Sequence, residues 1–124
     1  MYSRILVGTD GSATAARAVD RAVEVAKATG ATLTVLTAGK GDAAMEIAKR
    51  DADRHLASGV DIEARTSSRD PVTALIETAE QGEYDLIVVG NKGMTGARRF
   101  LPIGAVPNKV IHHLPTAVLI VRTT

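Results

Sequence analysis

Residues Asp85–Val110 read DLIVVGNKGMTGARRFLPIGAVPNKV. Leu86 to Val89 is an unbroken apolar run, three of its four residues β-branched, and it stops at Gly90. A strand that must be buried on both faces looks like this, and such strands sit in the middle of parallel sheets. The run then opens into glycines at 90, 93, 96 and 104, interspersed with Lys92, Arg98, Arg99 and Lys109. The stretch is therefore either a loop built to hold a phosphate or a glycine-rich connection that happens to be basic.

Working outward, the same grammar repeats. Arg4–Gly8 (RILVG) is another branched apolar run ending at glycine. Ser12 is placed to cap a helix in which Ala15, Ala18, Val19, Ala22, Val23 and Ala26 recur at helical spacing, with Gly30 as its stop. Ala31–Ala38 (ATLTVLTA) predicts a second strand. Asp42 can cap a helix running to about Ala57, whose weak apolar face is Met45, Ala48, Ala52 and Leu56. Val60–Thr66 (VDIEART) alternates, as an exposed, edge-side strand does. Asp70-Pro71 pairs an N-cap with a proline at the first helical position. The helix it opens presents Val72, Leu75, Ile76 and Ala79 and stops at Gly82. Beyond the glycine-rich stretch, Val106, Val110 and Leu114 mark one face of a last helix, Pro115 closes it, and Thr116–Arg122 (TAVLIVR) is the fifth strand.

Strands alternating with helices throughout predict one α/β domain over residues 1–124, an open parallel sheet with right-handed crossovers and helices on both faces. Five such strands commonly run 3-2-1-4-5 or 2-1-3-4-5. Ligands bind at the carboxyl ends of the strands where the order reverses. In the first order that switch lies between strands one and four. The two stretches least like plain connections, 8–12 (GTDGS) and 90–105, follow those two strands, and this coincidence favours 3-2-1-4-5.

Composition excludes several classes of function. A net charge of +1 gives no electrostatic case for nucleic acid, and Tyr2, Tyr84 and Phe100 are too few aromatics for a base-stacking platform. With no cysteine, disulfides, thiolate catalysis and thiolate-bound zinc are all ruled out. No apolar run approaches the roughly 20 residues that span a bilayer, and the start lacks a signal-peptide pattern. The expectation is a cytoplasmic protein with no membrane association.

The crevice chemistry suits a nucleotide. Gly90 and Gly93 permit close backbone approach to a phosphate. Gly104, Ala105 and Val106 offer the free amides and dipole of a helix N-terminus, and Pro107 falls in the first turn, where its missing N–H costs little. Asp10 can accept hydrogen bonds from ribose hydroxyls. Glycines serving only as turns explain the same residues equally well. Arg98, Arg99 and Lys92 are as readily solvated as phosphate-bound. Adjacent His112 and His113 point about 100° apart on a helix and make a poor ligand pair, so no metal site is expected. Asp10 with Ser12 is better read as turn and cap than as part of a hydrolytic triad. No catalytic base is evident near the phosphates, so binding with slow or no turnover is expected rather than an efficient ATPase.

RILVGTDGS, DLIVVGNKGMTGARRF and GAVPNKVIHHLPTAVLIVR together resemble the universal stress protein family over essentially the whole chain. The resemblance implies the Rossmann-like 3-2-1-4-5 sheet, of the adenine nucleotide alpha hydrolase type, and a dimeric adenine-nucleotide-binding regulator (ATP, AMP or cyclic AMP); apart from the resemblance, a magnesium ion could ride on the nucleotide phosphates with few protein ligands. It maps Gly90, Gly93 and Gly104 onto the glycines of a Gly-x2-Gly-x9-Gly-Ser/Thr signature. Gly8, Thr9 and Asp10 match the segment that holds adenine and ribose. Ala38 falls at a small apolar contact to the base, Val89 and Asn91 on the ribose side, and Ala105 and Val106 at the phosphate-binding amides. Two departures stand out: ten residues, Met94 to Ile103, separate Gly93 from Gly104 where the signature has nine, and Ala105 replaces a hydroxyl residue. The lost hydrogen bond is worth roughly 0.5–1.5 kcal/mol. The chain is also short for the family after strand two (AGKGDAA). The rival expectation is an interaction module of the same fold without nucleotide, and a slow hydrolase or phosphotransferase comes third. TAVLIVR, an apolar edge, needs a partner strand, and the family commonly dimerises there. A homodimer through residues 116–122 is expected.

Overall fold

The structure is a computed structural model that describes residues 1–91 and 116–123. Strands β1 (Arg4–Gly8), β2 (Thr32–Ala38), β3 (Ile62–Ser67), β4 (Leu86–Gly90) and β5 (Ala117–Val121) pair in parallel in the order β3-β2-β1-β4-β5. This is the order favoured by the sequence, with the switch between β1 and β4. Helices α1 (Ala13–Thr29), α2 (Gly41–Asp53) and α3 (Pro71–Gly82) cover the two faces. The last helix expected after Gly104 lies outside the described residues, together with Lys92, Arg98, Arg99, His112 and His113.

Alternation along the central strands divides the core. Ile5 and Val7 of β1, Leu33 and Val35 of β2, and Leu86 and Val88 of β4 point to one face, where Ala18, Val19, Ala22 and Val23 of α1 and Ala48 and Ala52 of α2 cover them. Leu6, Leu36, Ile87 and Val89 point to the other, against Ala74, Leu75, Ile76 and Ala79 of α3. All six apolar positions read for α1 are buried. Both of its ends follow from sequence: Ser12 Oγ accepts from the Ala15 N–H at 3.1 Å, and Gly30 closes the helix at φ 75°. Asp70 caps α3 through the Thr73 N–H, with Pro71 at its start.

Several boundaries differ from expectation, among them the start of β3, at Ile62 rather than Val60. Asp42 does not cap α2: the N-cap is Lys40, which makes no side-chain hydrogen bond, and Asp42 lies in the first turn, where its charge favours the dipole. That helix ends at Asp53 and gives way to a 3-10 turn over Leu56–Ser58, so Leu56 is 79% exposed instead of joining the apolar face. The buried positions on the helix are Ala44, Ala48, Ala52 and also Asp51, which no apolar periodicity reveals. Finally, α3 runs through Gly82. The left-handed cap is Glu83, at φ 55°, and a β-carbon at position 82 would fall 2.4 Å from the Tyr84 ring.

Candidate functional site

In a parallel sheet every strand delivers its carboxyl end, and the following turn, to the same edge. Gly8, Thr9 and Asp10 leave β1 there, Leu36 and Ala38 end β2, and α3 begins on that side with Pro71, Ala74 and Leu75. These eight residues enclose one open cleft of about 340 Å³ including its mouth. Gly90 ends the neighbouring β4, and continuing the pairing of Val7 with Val88 brings it level with Thr9. The cleft therefore opens beside the switch point.

Its floor and walls are apolar: Leu36, Ala38, Ala74, Leu75 and Pro71. Asp10 supplies the charge. One of its oxygens, Oδ1, accepts from the Ser12 N–H at 2.9 Å, which fixes the carboxylate in a tight turn. Its Oδ2 makes no hydrogen bond among the described residues. At the α3 rim, hydrogen bonds from the Thr73 side chain and then its backbone hold the Asp70 carboxyl below its ordinary value. Two acidic groups on this side favour a ligand face bearing hydroxyls or N–H donors.

The expected site residues divide four ways. Gly8, Thr9, Asp10 and Ala38 converge on the cleft. Thr9 does so through its backbone, since its N–H donates to Leu36 O at 2.9 Å and its hydroxyl turns to the opposite face of the sheet. Gly90 is buried at the end of β4. Val89 and Asn91 stand apart from the cleft lining. Val89 packs in the core under α3, while Asn91 Oδ1 accepts from both the N–H (2.9 Å) and the hydroxyl (3.0 Å) of Thr123, fastening the ends of β4 and β5 together. Gly93, Gly104, Ala105 and Val106 lie outside the described residues.

The wall formed by Pro71, Ala74 and Leu75 was absent from the sequence-based site. Its signal was nevertheless present, because a helix following β3 must start on the ligand side and Asp70-Pro71 marks where. Behind the cleft, Asp51 of α2 is 3% exposed and accepts from the Thr9 hydroxyl at 2.5 Å and from Arg54 Nε at 3.1 Å. Burial opposes the charge of Arg54, but hydrogen bonds and attraction from Asp20 and Asp51 outweigh it and raise its pKa. His55 Nε2 also meets Asp20, at 2.8 Å. Among the described residues no three His, Asp or Glu side chains gather as a metal site would need, and no helix is long and apolar enough to cross a membrane.

Comparison with known proteins matches this arrangement along the chain. A profile of the universal stress protein family matches residues 1–122. The universal stress protein Rv1636 of Mycobacterium tuberculosis is 35% identical over 146 aligned positions, covering 99% of this chain and 98% of its own. That alignment is longer than this chain, so the relative holds residues missing here. A putative universal stress protein of Staphylococcus aureus is 31% identical, covering 98% and 85%. Among solved structures, a universal stress protein in complex with cAMP superposes with a TM-score of 0.76 at 34% identity, covering 99% of both chains. With a parallel sheet in the order 3-2-1-4-5, a cleft at its switch point and relatives that match from end to end, the chain belongs to the universal stress protein family.

Proposed function

We propose that this protein binds an adenine nucleotide in the cleft between β1, β2 and α3 and acts in the cytoplasm as a regulator rather than as an enzyme. The observation that carries this reading is the convergence of Gly8, Thr9, Asp10 and Ala38 on one cleft with an apolar wall. Leu36, Ala38, Pro71, Ala74 and Leu75 suit the faces of a purine, and Oδ2 of Asp10, unbonded among the described residues, suits a ribose hydroxyl. A similar family member whose structure contains cAMP supports the same reading. The phosphates lie toward Gly90 and the glycines at 93 and 104, with Ala105 and Val106 donating backbone amides. Any magnesium rides on those phosphates with few protein ligands.

The protein pairs with a second copy through β5. Ile120, on this edge strand, is 38% exposed, and joining two such edges would satisfy both sets of backbone groups.

The test is calorimetric titration of the folded protein with ATP, AMP and cyclic AMP, in parallel with Asp10→Ala. Loss of a hydrogen bond to a charged group costs about 1.5–3 kcal/mol, so the variant should bind about ten- to a hundredfold more weakly. An absence of heat with all three nucleotides in the wild-type protein overturns the reading and leaves the interaction module of the same fold.

A further inference from the structure

The turn that presents Asp10 is held from the far side of the sheet. Cleft residues Leu36, Ala74 and Leu75 belong to the face covered by α3, whereas α2 covers the other. From α2, Asp51 Oδ2 accepts the Thr9 hydroxyl, and Thr9 Oγ1 in turn accepts the Gly11 N–H at 3.0 Å. Arg50 Nη2, also from α2, donates to Gly11 O at 3.3 Å. Gly11 sits at φ 85°, a conformation that this pair of contacts fixes from both of its peptide groups. The second Asp51 oxygen is taken by Arg54, which reaches across to Asp20 and Ala16 O on α1. Both carboxylate oxygens are thus satisfied at a site that is 3% exposed. A buried carboxylate is costly unless fully paired, and among the described residues this one pairs with Arg54 and with the turn that follows β1 at the cleft.

We propose that Asp51 is a positioning residue for nucleotide binding: through the Thr9 hydroxyl it sets the Thr9–Ser12 turn and hence the Asp10 carboxylate. The proposal rests on the nucleotide-binding reading above. It assigns Asp51 no contact with the ligand, from which the sheet separates it.

Two readouts test it, and they separate its failure from failure of that reading. Asp51→Asn keeps the shape but turns an amide N–H₂ toward either Thr9 or Arg54, so one donor always loses its acceptor. Thr9→Val removes the hydroxyl without changing the shape. In ¹⁵N-resolved NMR of the ligand-free protein, the Gly11 amide should move upfield and exchange faster in both variants. In calorimetry with ATP each variant should bind about tenfold more weakly, the double variant no more weakly than either single one, and Thr9→Ser should recover most of what Thr9→Val loses. An unmoved Gly11 amide, wild-type affinity in Asp51→Asn, or additive losses in the double variant would each overturn the positioning role. If the wild-type protein binds no ATP, the nucleotide reading and the role in binding fall together, and the Gly11 amide alone then decides whether the clamp orders the turn.

Discussion

Gly11 and Gly30 make a matched pair for measuring how tightly α2 presses on the β1–α1 turn. Both have positive φ, 85° and 75°. A β-carbon at Gly30 meets nothing within 4 Å, whereas one at Gly11 falls 2.6 Å from Arg50 Nη2 and 3.2 Å from Ile47 Cγ2. Gly30→Ala therefore carries only the left-handed strain, about 1 kcal/mol. In Gly11→Ala the same strain applies, and two further costs are added. The exposed Arg50 side chain can swing away, but it gives up its hydrogen bond to Gly11 O. The half-buried Ile47 must yield by a few tenths of an ångström. Together these add about 1 kcal/mol, for a total of about 2 kcal/mol. Urea unfolding followed by circular dichroism reads the difference directly, since the midpoint moves while the slope stays constant. In a chain of this size the thermal midpoint should drop by roughly 3–5 °C for each kcal/mol. Equal destabilisation at the two positions, or a smaller one at Gly11, would show that α2 does not press on the turn and would refute the reasoning.

Other perturbations have equally definite outcomes. The lowered pKa of Asp70 means that its cap stabilises the ionised, folded form. This contribution is fully present above the unfolded value near pH 4 and is lost as pH falls through the lower folded value. Asp70→Asn should therefore flatten the acid limb of the thermal midpoint below about pH 4, and an unchanged limb would exclude the cap. Tyr84→Phe leaves the buried Thr34 hydroxyl, which pairs with Tyr84 at 2.7 Å, with only the long bond it donates to Glu63 at 3.4 Å, and should cost about 1 kcal/mol in urea unfolding. The Arg4 guanidinium, 4.4 Å from the ring centroid, keeps its partner in that variant. Ile120→Arg should convert a dimer into a monomer in analytical ultracentrifugation without loss of helical signal, and a dimer that survives it uses another surface.

The architecture was legible because two periodicities alternate cleanly. Runs such as Ile5–Val7 and Leu86–Val89 have the all-apolar character that only two-sided burial requires, and α1 shows a stripe of six positions that are all buried. The strand order was legible for a different reason, namely that unusual residues follow β1 and β4. What escaped was set by contacts distant in sequence. Nothing near Asp51 announces that it meets Thr9, 42 positions away. Asn91 looked like a ligand residue beside a glycine, but its side-chain carbonyl is taken by Thr123, two residues beyond the end of β5. Leu56 fitted the helical spacing of its neighbours, yet the backbone had left the α-helix three residues earlier. The left-handed cap of α3 fell on Glu83, a residue type that seldom adopts that conformation, one position beyond the glycine that marks the helix end. In the site, the strand-end residues were readable from the turn chemistry of GTDGS, and the α3 wall only from topology.

The central claim is that an adenine nucleotide occupies the cleft at the carboxyl ends of β1 and β2. Mapping backbone amide shifts during titration with ATP and with cyclic AMP tests it most directly. Saturable shifts are expected, concentrated at Gly8–Ser12, Leu36–Gly39, Val72–Leu75 and Gly90–Asn91. Shifts confined to the opposite end of the sheet, around Tyr2, Asp85 and Ala117, or no shifts at millimolar nucleotide, would contradict it.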